Sequence, residues 1–180
     1  LVREGVATPQ VALEAARAAQ SHIGLARALA RDPQMRERRR AIITAPASVR
    51  SVGEAVMAAD RLLETAKAQA DAQVSERNAR EKAELMRQLG MDEGESATKA
   101  SRTMIRQLEE DQKRRSKRAL TDAIDRALID LLAIYRDVLM VQVGGDGELI
   151  NTDLSDLVHQ IAQDSTPRQT LARVDHIETA

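Results

Sequence analysis

Apolar positions form their clearest pattern between residues 119 and 139 of the chain. They recur at spacings of three and four residues, which places them on one wide face of an α-helix. This face consists of Leu120, Ile124, Ala127, Leu128, Leu131, Leu132, Tyr135 and Leu139. The glycine-rich segment "GGDGE" follows, and Gly144 is the expected C-cap because glycine readily adopts a left-handed conformation. The pattern predicts a core helix that ends at this segment.

A second long helix is predicted from Ser51 to about Leu89. The apolar positions of its first half are Val52, Val56, Ala59, Leu62, Leu63 and Ala66. We expect this half to pack in the core, whereas the second half is polar nearly all round and is expected to extend beyond it. Another polar helix follows the acidic segment 90–98 and leads into the core helix. Two polar segments of similar length around one loop predict a projecting antiparallel hairpin at about residues 70–118.

Shorter helices are predicted towards both ends of the chain. Thr8 before Pro9 combines an N-cap hydroxyl with proline at the first helical position, and Pro33 starts a further, very basic helix. Residues 1–43 therefore form two or three short helices, which are too small to bury a core alone. Two more short helices follow the glycine-rich segment, from "DLSDLVHQIAQD" and "TPRQTLARVDHIETA". The predicted fold class is all-α.

The clearest predicted boundary is the segment "TAPASVRS". Pro46 disfavours a helix through the residue before it, and the small residues around it show no periodic apolar pattern. The sequence therefore predicts helices at 1–44, a linker at 45–48 and a helical domain at 49–180.

Composition agrees with packed helices. Tyr135 is the only aromatic residue, so Leu, Ile, Val, Ala and Met must fill the core. The chain has no cysteine, which excludes disulfides, thiolate metal sites and thiol nucleophiles. No stretch is long and apolar enough to span a bilayer, and we expect a cytoplasmic protein. Neither end carries the expected start or stop signals, so we expect a piece of a longer protein.

No pattern of catalytic residues occurs in the sequence. The three histidines are His22, His159 and His176, and no two have the i, i+4 spacing of a helical zinc site. A glycine-rich phosphate loop, a nucleophile elbow and a paired-carboxylate signature are also missing. Asp122, Asp125 and Asp130 are expected on the solvated side of the core helix. We therefore expect no catalytic residue, no metal and no cofactor in this chain.

One basic run could mark a nucleic-acid surface, because the formal net charge of −1 gives no overall attraction to polyanions. The run consists of Lys113, Arg114, Arg115, Lys117 and Arg118. Acidic residues 109–111 directly precede it, and no aromatic side chain is available for base stacking. A solvated helix face with i, i+4 ion pairs is the favoured interpretation. A nucleic-acid-binding helical module is the alternative, and the segment "RERRR" at 36–40 has the same two interpretations.

Three stretches resemble a known family when they are taken in order. "AAQSHIGLARALARD" is similar to the end of the AAA+ lid in bacterial clamp-loader subunits. "RALTDAIDRALIDLLAIYRDVLMVQVG" resembles the long core helix of the C-terminal collar domain in the delta-prime family of DNA polymerase III subunits. "LMRQLGMDEGESATKASRTMIRQLEEDQKRRSKR" resembles the helical hairpin that actinobacterial members carry at this place. The resemblance covers nearly the whole chain.

The resemblance implies an assembly function. Residues 1–44 would be the end of an AAA+ lid, and 49–180 a collar domain that packs beside the delta and tau/gamma subunits. That collar supports ATP-driven loading of the sliding clamp on primer-template DNA. The chain would thus be a non-catalytic subunit of a DNA-directed DNA polymerase. Gly24 and Arg27 would occupy the Gly-x-x-Arg element called sensor 2, and we expect Arg27 to be structural rather than nucleotide-contacting.

Overall fold

The computed structural model describes residues 2, 5–90 and 98–180. Within these ranges every regular element is helical, which confirms the predicted all-α class. The α-helices are α1 Pro9–Ala18, α2 Ile23–Arg31, α3 Pro33–Thr44, α4 Val52–Gln88, α5 Lys99–Gln142, α6 Ser155–Gln163 and α7 Pro167–Glu178. None of the helices in this described part is long and apolar enough to cross a membrane. The predicted loop at 90–98 lies, apart from its two end residues, outside the described residues.

The Thr–Pro pairs start helices as the sequence predicts. The Thr8 side chain accepts a hydrogen bond from the Val11 amide at the start of α1. At the start of α7 the Thr166 hydroxyl accepts from the Gln169 amide, while the Gln169 side chain accepts from the Thr166 amide. These reciprocal bonds form a capping box, which satisfies two amides that the helix itself leaves unpaired.

The predicted end of the core helix is also confirmed. Gly144 follows α5 with a φ of +66°, a conformation that strains any other residue. The Gly145 amide donates to the Met140 carbonyl at 2.9 Å, and the Gly144 amide donates to the Val141 carbonyl at 3.2 Å. These two bonds are those of a Schellman motif, which closes the helix by satisfying its last carbonyls.

The described residues divide into two compact units. The first unit comprises Leu1–Leu62 with Arg126–Ala180, and the second comprises Leu63–Asp125. Helices α4 and α5 each contribute residues to both units. The predicted division at 45–48 does not coincide with this one, although Pro46 does end α3 and leads into a short 3₁₀ turn.

The core of the first unit joins residues from both sides of that turn. Ile43, in the last turn of α3, is fully buried in a cluster with side chains of α5 and α6. The other buried members are Ile134, Tyr135, Val138, Leu154 and Val158. The break in the helix therefore does not separate α3 from this core.

A second cluster in the first unit is formed by α1 and α2. Its buried members are Ala15, Ala18, Ala19, Leu25, Ala26, Leu29 and Ala30. Five of these seven side chains are alanine, so the two helices can approach closely. The guanidinium of Arg36 in α3 donates to the carbonyls of Leu29, at 2.6 Å, and Ala30. Arg36 therefore caps the end of α2, and this member of the "RERRR" segment has a structural partner.

The predicted core face of α5 is only partly correct. Ala127 and Tyr135 are buried, but the leucines of that face are half-buried. The centre of the packed face lies instead at Ile134 and Val138, which are fully buried. The apolar spacing of α5 is compatible with several neighbouring faces, so it does not fix which one points inward.

The predicted packing of α4 is only partly correct. Four of its six predicted apolar positions are exposed, with Val52 at 83% and Val56 at 57% of full exposure, and Leu62 is half-buried. Ala66 of the predicted apolar set is buried, and so are Ala70 and Val74 farther along the helix. Alanine allows a close helix–helix contact without the large apolar side chains on which the prediction depended.

The second unit is an antiparallel pair made of residues 63–88 and 99–125. Ala70 and Val74 of α4 pack with Ala119 and Leu120 of α5. Farther along α4, Lys82 lies 3.8 Å from the carboxylate of Glu109, which precedes Ala119 in α5. Later residues of one helix thus meet earlier residues of the other, as an antiparallel arrangement requires. The predicted projection of this hairpin stays a prediction.

Replacing Ile134 with alanine tests the position of the core. We expect Ile134→Ala to lower the free energy of unfolding by about 2–5 kcal/mol, through lost burial and the cavity left behind. Ile129→Ala is the matched control, because Ile129 lies in the same helix and is exposed. The control should cost less than about 1 kcal/mol. Urea denaturation measures both values, and equal losses would contradict the assignment of the core.

Candidate functional site

The Gly24–Arg27 element lies in the first turns of α2. His22 is the N-cap of this helix, and its Nδ1 atom accepts a hydrogen bond from the Leu25 amide at 3.0 Å. A Cβ atom on residue 24 would lie 3.3 Å from the His22 ring, which is tighter than an ordinary contact. Glycine at position 24 therefore leaves room for the histidine cap.

The same cap affects what the start of α2 can bind. A helix N-terminus attracts anions through amides that have no partner in the helix. Here the imidazole of His22 already accepts from one of those amides. Arg27 is exposed, one turn farther along. The structure thus gives Gly24 a local structural reason, and the nucleotide contact of the sensor-2 element stays a prediction.

A buried polar network ties α5 to the segment that follows the glycine-rich turn. The carboxylate of Asp137 is fully buried and accepts from the amides of Ile150, at 3.0 Å, and Asn151, at 2.8 Å. It also accepts from the Asn151 side chain at 2.9 Å and from the guanidinium of Arg136 at 2.9 Å. Both carboxylate oxygens have donors, so Asp137 fits a structural role.

The network continues to α3 through Arg39. Its guanidinium donates to the Asn151 side-chain oxygen at 2.6 Å and to the Asp130 carboxylate at 2.9 Å. Asp130 is buried, so the prediction that it lies on the solvated side is wrong, whereas Asp122 and Asp125 are exposed as predicted. Burial raises the pKa of Asp130, and the charge of Arg39 opposes this rise only in part.

Sequence reasoning missed three members of this network, Arg39, Asp137 and Asn151. One signal was available, since Asp130 and Asp137 are seven residues apart and so share a helix face with apolar neighbours. The partners on α3 and after α5 are distant in sequence, and no spacing connects them. Through Arg39, the network connects α3 by hydrogen bonds to α5 and to the segment that follows it.

Two arginines of the basic run in α5 have acidic partners. The side chain of Arg115 donates to Glu81 at 2.8 Å and to Asn78 at 2.7 Å, across the helix pair. Arg114 pairs with Asp111 on its own helix. Hydrogen bonds from Arg115, and then from Arg77, lower the pKa of Glu81. These pairs agree with the interpretation of the run as an ion-paired helix face.

The remaining histidines show no sign of a metal site. His159 Nδ1 lies 2.8 Å from the carbonyl of Ser155, one turn earlier in α6. His176 lies in the last turn of α7. Within residues 2, 5–90 and 98–180, no group of three or more His, Asp or Glu side chains could hold a metal ion.

The exposed apolar positions of α4 form a continuous surface on one helix. We define the α4 stripe as Val52, Val56, Ala59 and Leu63, which are spaced by four, three and four residues. All four are exposed, and Leu63 is still 39% exposed. This spacing is the a/d pattern of a helix–helix seam. The α4 stripe thus has the spacing of a helix–helix seam and is exposed in the described part of the chain.

Comparison with protein-family models, curated proteins and solved structures gave no match to this chain.

Replacing Arg39 tests the buried network. Arg39→Met leaves the Asp130 carboxylate buried without its counter-charge, and we expect a loss of about 3–5 kcal/mol in the free energy of unfolding. The neighbouring Arg40 provides the control, because its pair with Asp153 is at 3.5 Å and largely exposed. Arg40→Met should cost less than about 1 kcal/mol.

The pH dependence of the Arg39→Met variant gives a second readout. Loss of the arginine should raise the folded-state pKa of Asp130 further above its unfolded value. A raised carboxyl pKa means that stability is regained as the pH falls, because the folded state binds the proton more tightly. The deficit should therefore be smaller at about pH 5 than at about pH 8. A deficit independent of pH would contradict the ion-pair explanation.

Glu81 provides a test in the second unit. Its lowered pKa means that the stability it contributes is present above its unfolded pKa of about 4.3 and is lost as the pH falls through the folded value. Glu81→Gln should therefore flatten the fall in melting temperature between about pH 5 and pH 3. Glu84→Gln, an exposed position on the same helix, should keep the wild-type profile. Identical profiles for all three proteins would show that the pair with Arg115 contributes nothing.

Proposed function

We propose that this chain is a structural assembly module of a bacterial clamp loader, in which it packs against the helical C-terminal domains of the delta and tau/gamma subunits. The resemblance to the delta-prime family supplies the identity of the partners. The exposure of the α4 stripe is the observation that carries the proposal. Such a module is a non-catalytic part of the DNA polymerase III holoenzyme and needs no cofactor of its own.

The physical basis of the proposal is the apolar surface that the α4 stripe leaves in water. Burying an exposed valine or leucine side chain contributes about 1.5–3 kcal/mol. Covering Val52, Val56 and Leu63 together therefore supplies several kcal/mol towards the cost of association. Met57, 58% exposed and next to Val56, adds a flexible side chain that can adapt to a partner surface.

The alternative, a nucleic-acid-binding module, has less support from the contacts. Arg114 and Arg115 are engaged by Asp111, Glu81 and Asn78. Reversing the charge of Arg115 would therefore damage the helix pair itself. Lys113, Lys117 and Arg118 are exposed and provide the better test of nucleic-acid binding.

Co-assembly tests the proposed function. The chain is mixed with the delta and tau/gamma C-terminal domains from the same species, and the mass of the complex is followed by light scattering. We expect a larger species whose amount does not fall between about 50 and 500 mM salt, because apolar burial is not screened. Val56→Asp should abolish it, whereas Leu171→Asp, at an exposed leucine of α7, should not.

Charge reversal at the exposed basic residues tests the nucleic-acid alternative. A triple variant with Lys113, Lys117 and Arg118 changed to Glu should assemble as the wild type does. If the chain binds duplex DNA with an affinity that falls steeply with salt, and this variant loses that binding, the nucleic-acid function replaces the assembly function.

A further inference from the structure

The α4 stripe has an unusual border for a surface helix. One side is lined by Ala55 and Leu62, and the other by Gly53 and Asp60. Asp60 is the only charge among these four border positions. A helix that packs on the α4 stripe therefore meets small or apolar side chains along most of the seam.

We propose that a second copy of this chain covers the α4 stripe, with the two α4 helices antiparallel. In this register Val52 of one copy faces Leu63 of the other, and Val56 faces Ala59. Each pair occurs twice, because a two-fold axis relates the copies. The proposal goes beyond the assembly function. Because both kinds of partner would use the α4 stripe, the self-paired form is the one adopted when the delta and tau/gamma domains are absent.

Packing of the seam favours the antiparallel direction. Its two central layers each combine a larger side chain, Val56, with a smaller one, Ala59, so no layer consists of alanine alone. A parallel pair would place Ala59 against Ala59 between layers of valine and leucine, and the thin layer would leave a gap. The helix dipoles also oppose each other only in the antiparallel pair.

Charge explains why the occupant can be the chain itself. In the antiparallel register Asp60 of one copy faces Gly53 of the other, and Ala55 faces Leu62. Repulsion between like charges is the usual barrier to self-association of a helix face, and no like charges meet across this seam. The seam is only four layers long, so we expect a weak dimer that forms at high protein concentration.

The absence of cysteine allows a direct test by disulfide trapping. Val56→Cys and Ala59→Cys are made as separate single variants, one with a tag that changes its size. They are mixed at high protein concentration with oxidised glutathione, and covalent dimers are measured on a non-reducing gel. We expect the mixed pair to cross-link at least tenfold faster than either variant alone, because only the antiparallel register places residue 56 beside residue 59.

A matched control measures random collision. Val56→Cys is mixed with Leu171→Cys, whose side chain is also exposed but lies on α7. This mixture should cross-link no faster than Val56→Cys alone. The antiparallel pairing is overturned if Val56→Cys cross-links fastest with itself, which indicates a parallel pair. It is also overturned if all mixtures react at the same rate.

Sedimentation at rising concentrations of the untagged chain measures self-association without a cross-link. The wild type should shift towards a dimer, Val56→Asp should stay monomeric, and Leu171→Asp should behave as the wild type. A wild type that stays monomeric throughout would overturn self-pairing. Co-assembly with the delta and tau/gamma domains would then still be open to its own test, so the two proposals fail separately.

Discussion

A carboxylate inside a helical core is tolerated only where hydrogen-bond donors replace the water it has lost. In the first unit those donors to Asp137 come from Arg136 and from the amides of Ile150 and Asn151. The same asparagine accepts from Arg39, which in turn neutralises Asp130. The path of the chain after α5 and the attachment of α3 therefore depend on one set of polar contacts. Ile43 and Val138 of the apolar cluster lie on the same two helices as Arg39 and Asp137, so polar and apolar contacts join α3 and α5 together.

Small side chains impose the other constraint on this protein. The contact between α1 and α2 and the contact within the second unit both depend largely on alanine. Alanine buries little apolar area, so each contact contributes less than a leucine seam would. Between the two helices of the second unit, the bonds of Arg115 to Asn78 and Glu81 supplement this small core. Leaving larger residues such as Val52 and Leu63 in water is consistent with their use in binding a partner.

Much of the fold could be predicted because its signals are local. Thr8, Pro33, Pro46 and Gly144 fix helix ends through backbone rules that need no tertiary context. The direction in which the long helices face could not be predicted, since α4 buries Ala70 and exposes Val56 against their hydrophobicity. The buried polar network was also out of reach, because Arg39 and Asn151 come together only in the folded chain. Of the candidate site, the sequence supplied the residues of the α4 stripe but not their exposure.

The position of Tyr135 has a practical consequence for optical measurements. This side chain is nearly fully buried in the core of the first unit, and the guanidinium of Arg173 lies 5.7 Å from the centre of its ring. Because the chain has no other aromatic residue, its intrinsic fluorescence and its near-ultraviolet circular dichroism come from this one core. The second unit contributes helical signal in the far ultraviolet but none at longer wavelengths. Measurements at two wavelengths on one unlabelled sample therefore distinguish the unfolding of the core around Tyr135 from the unfolding of the helix pair in the second unit.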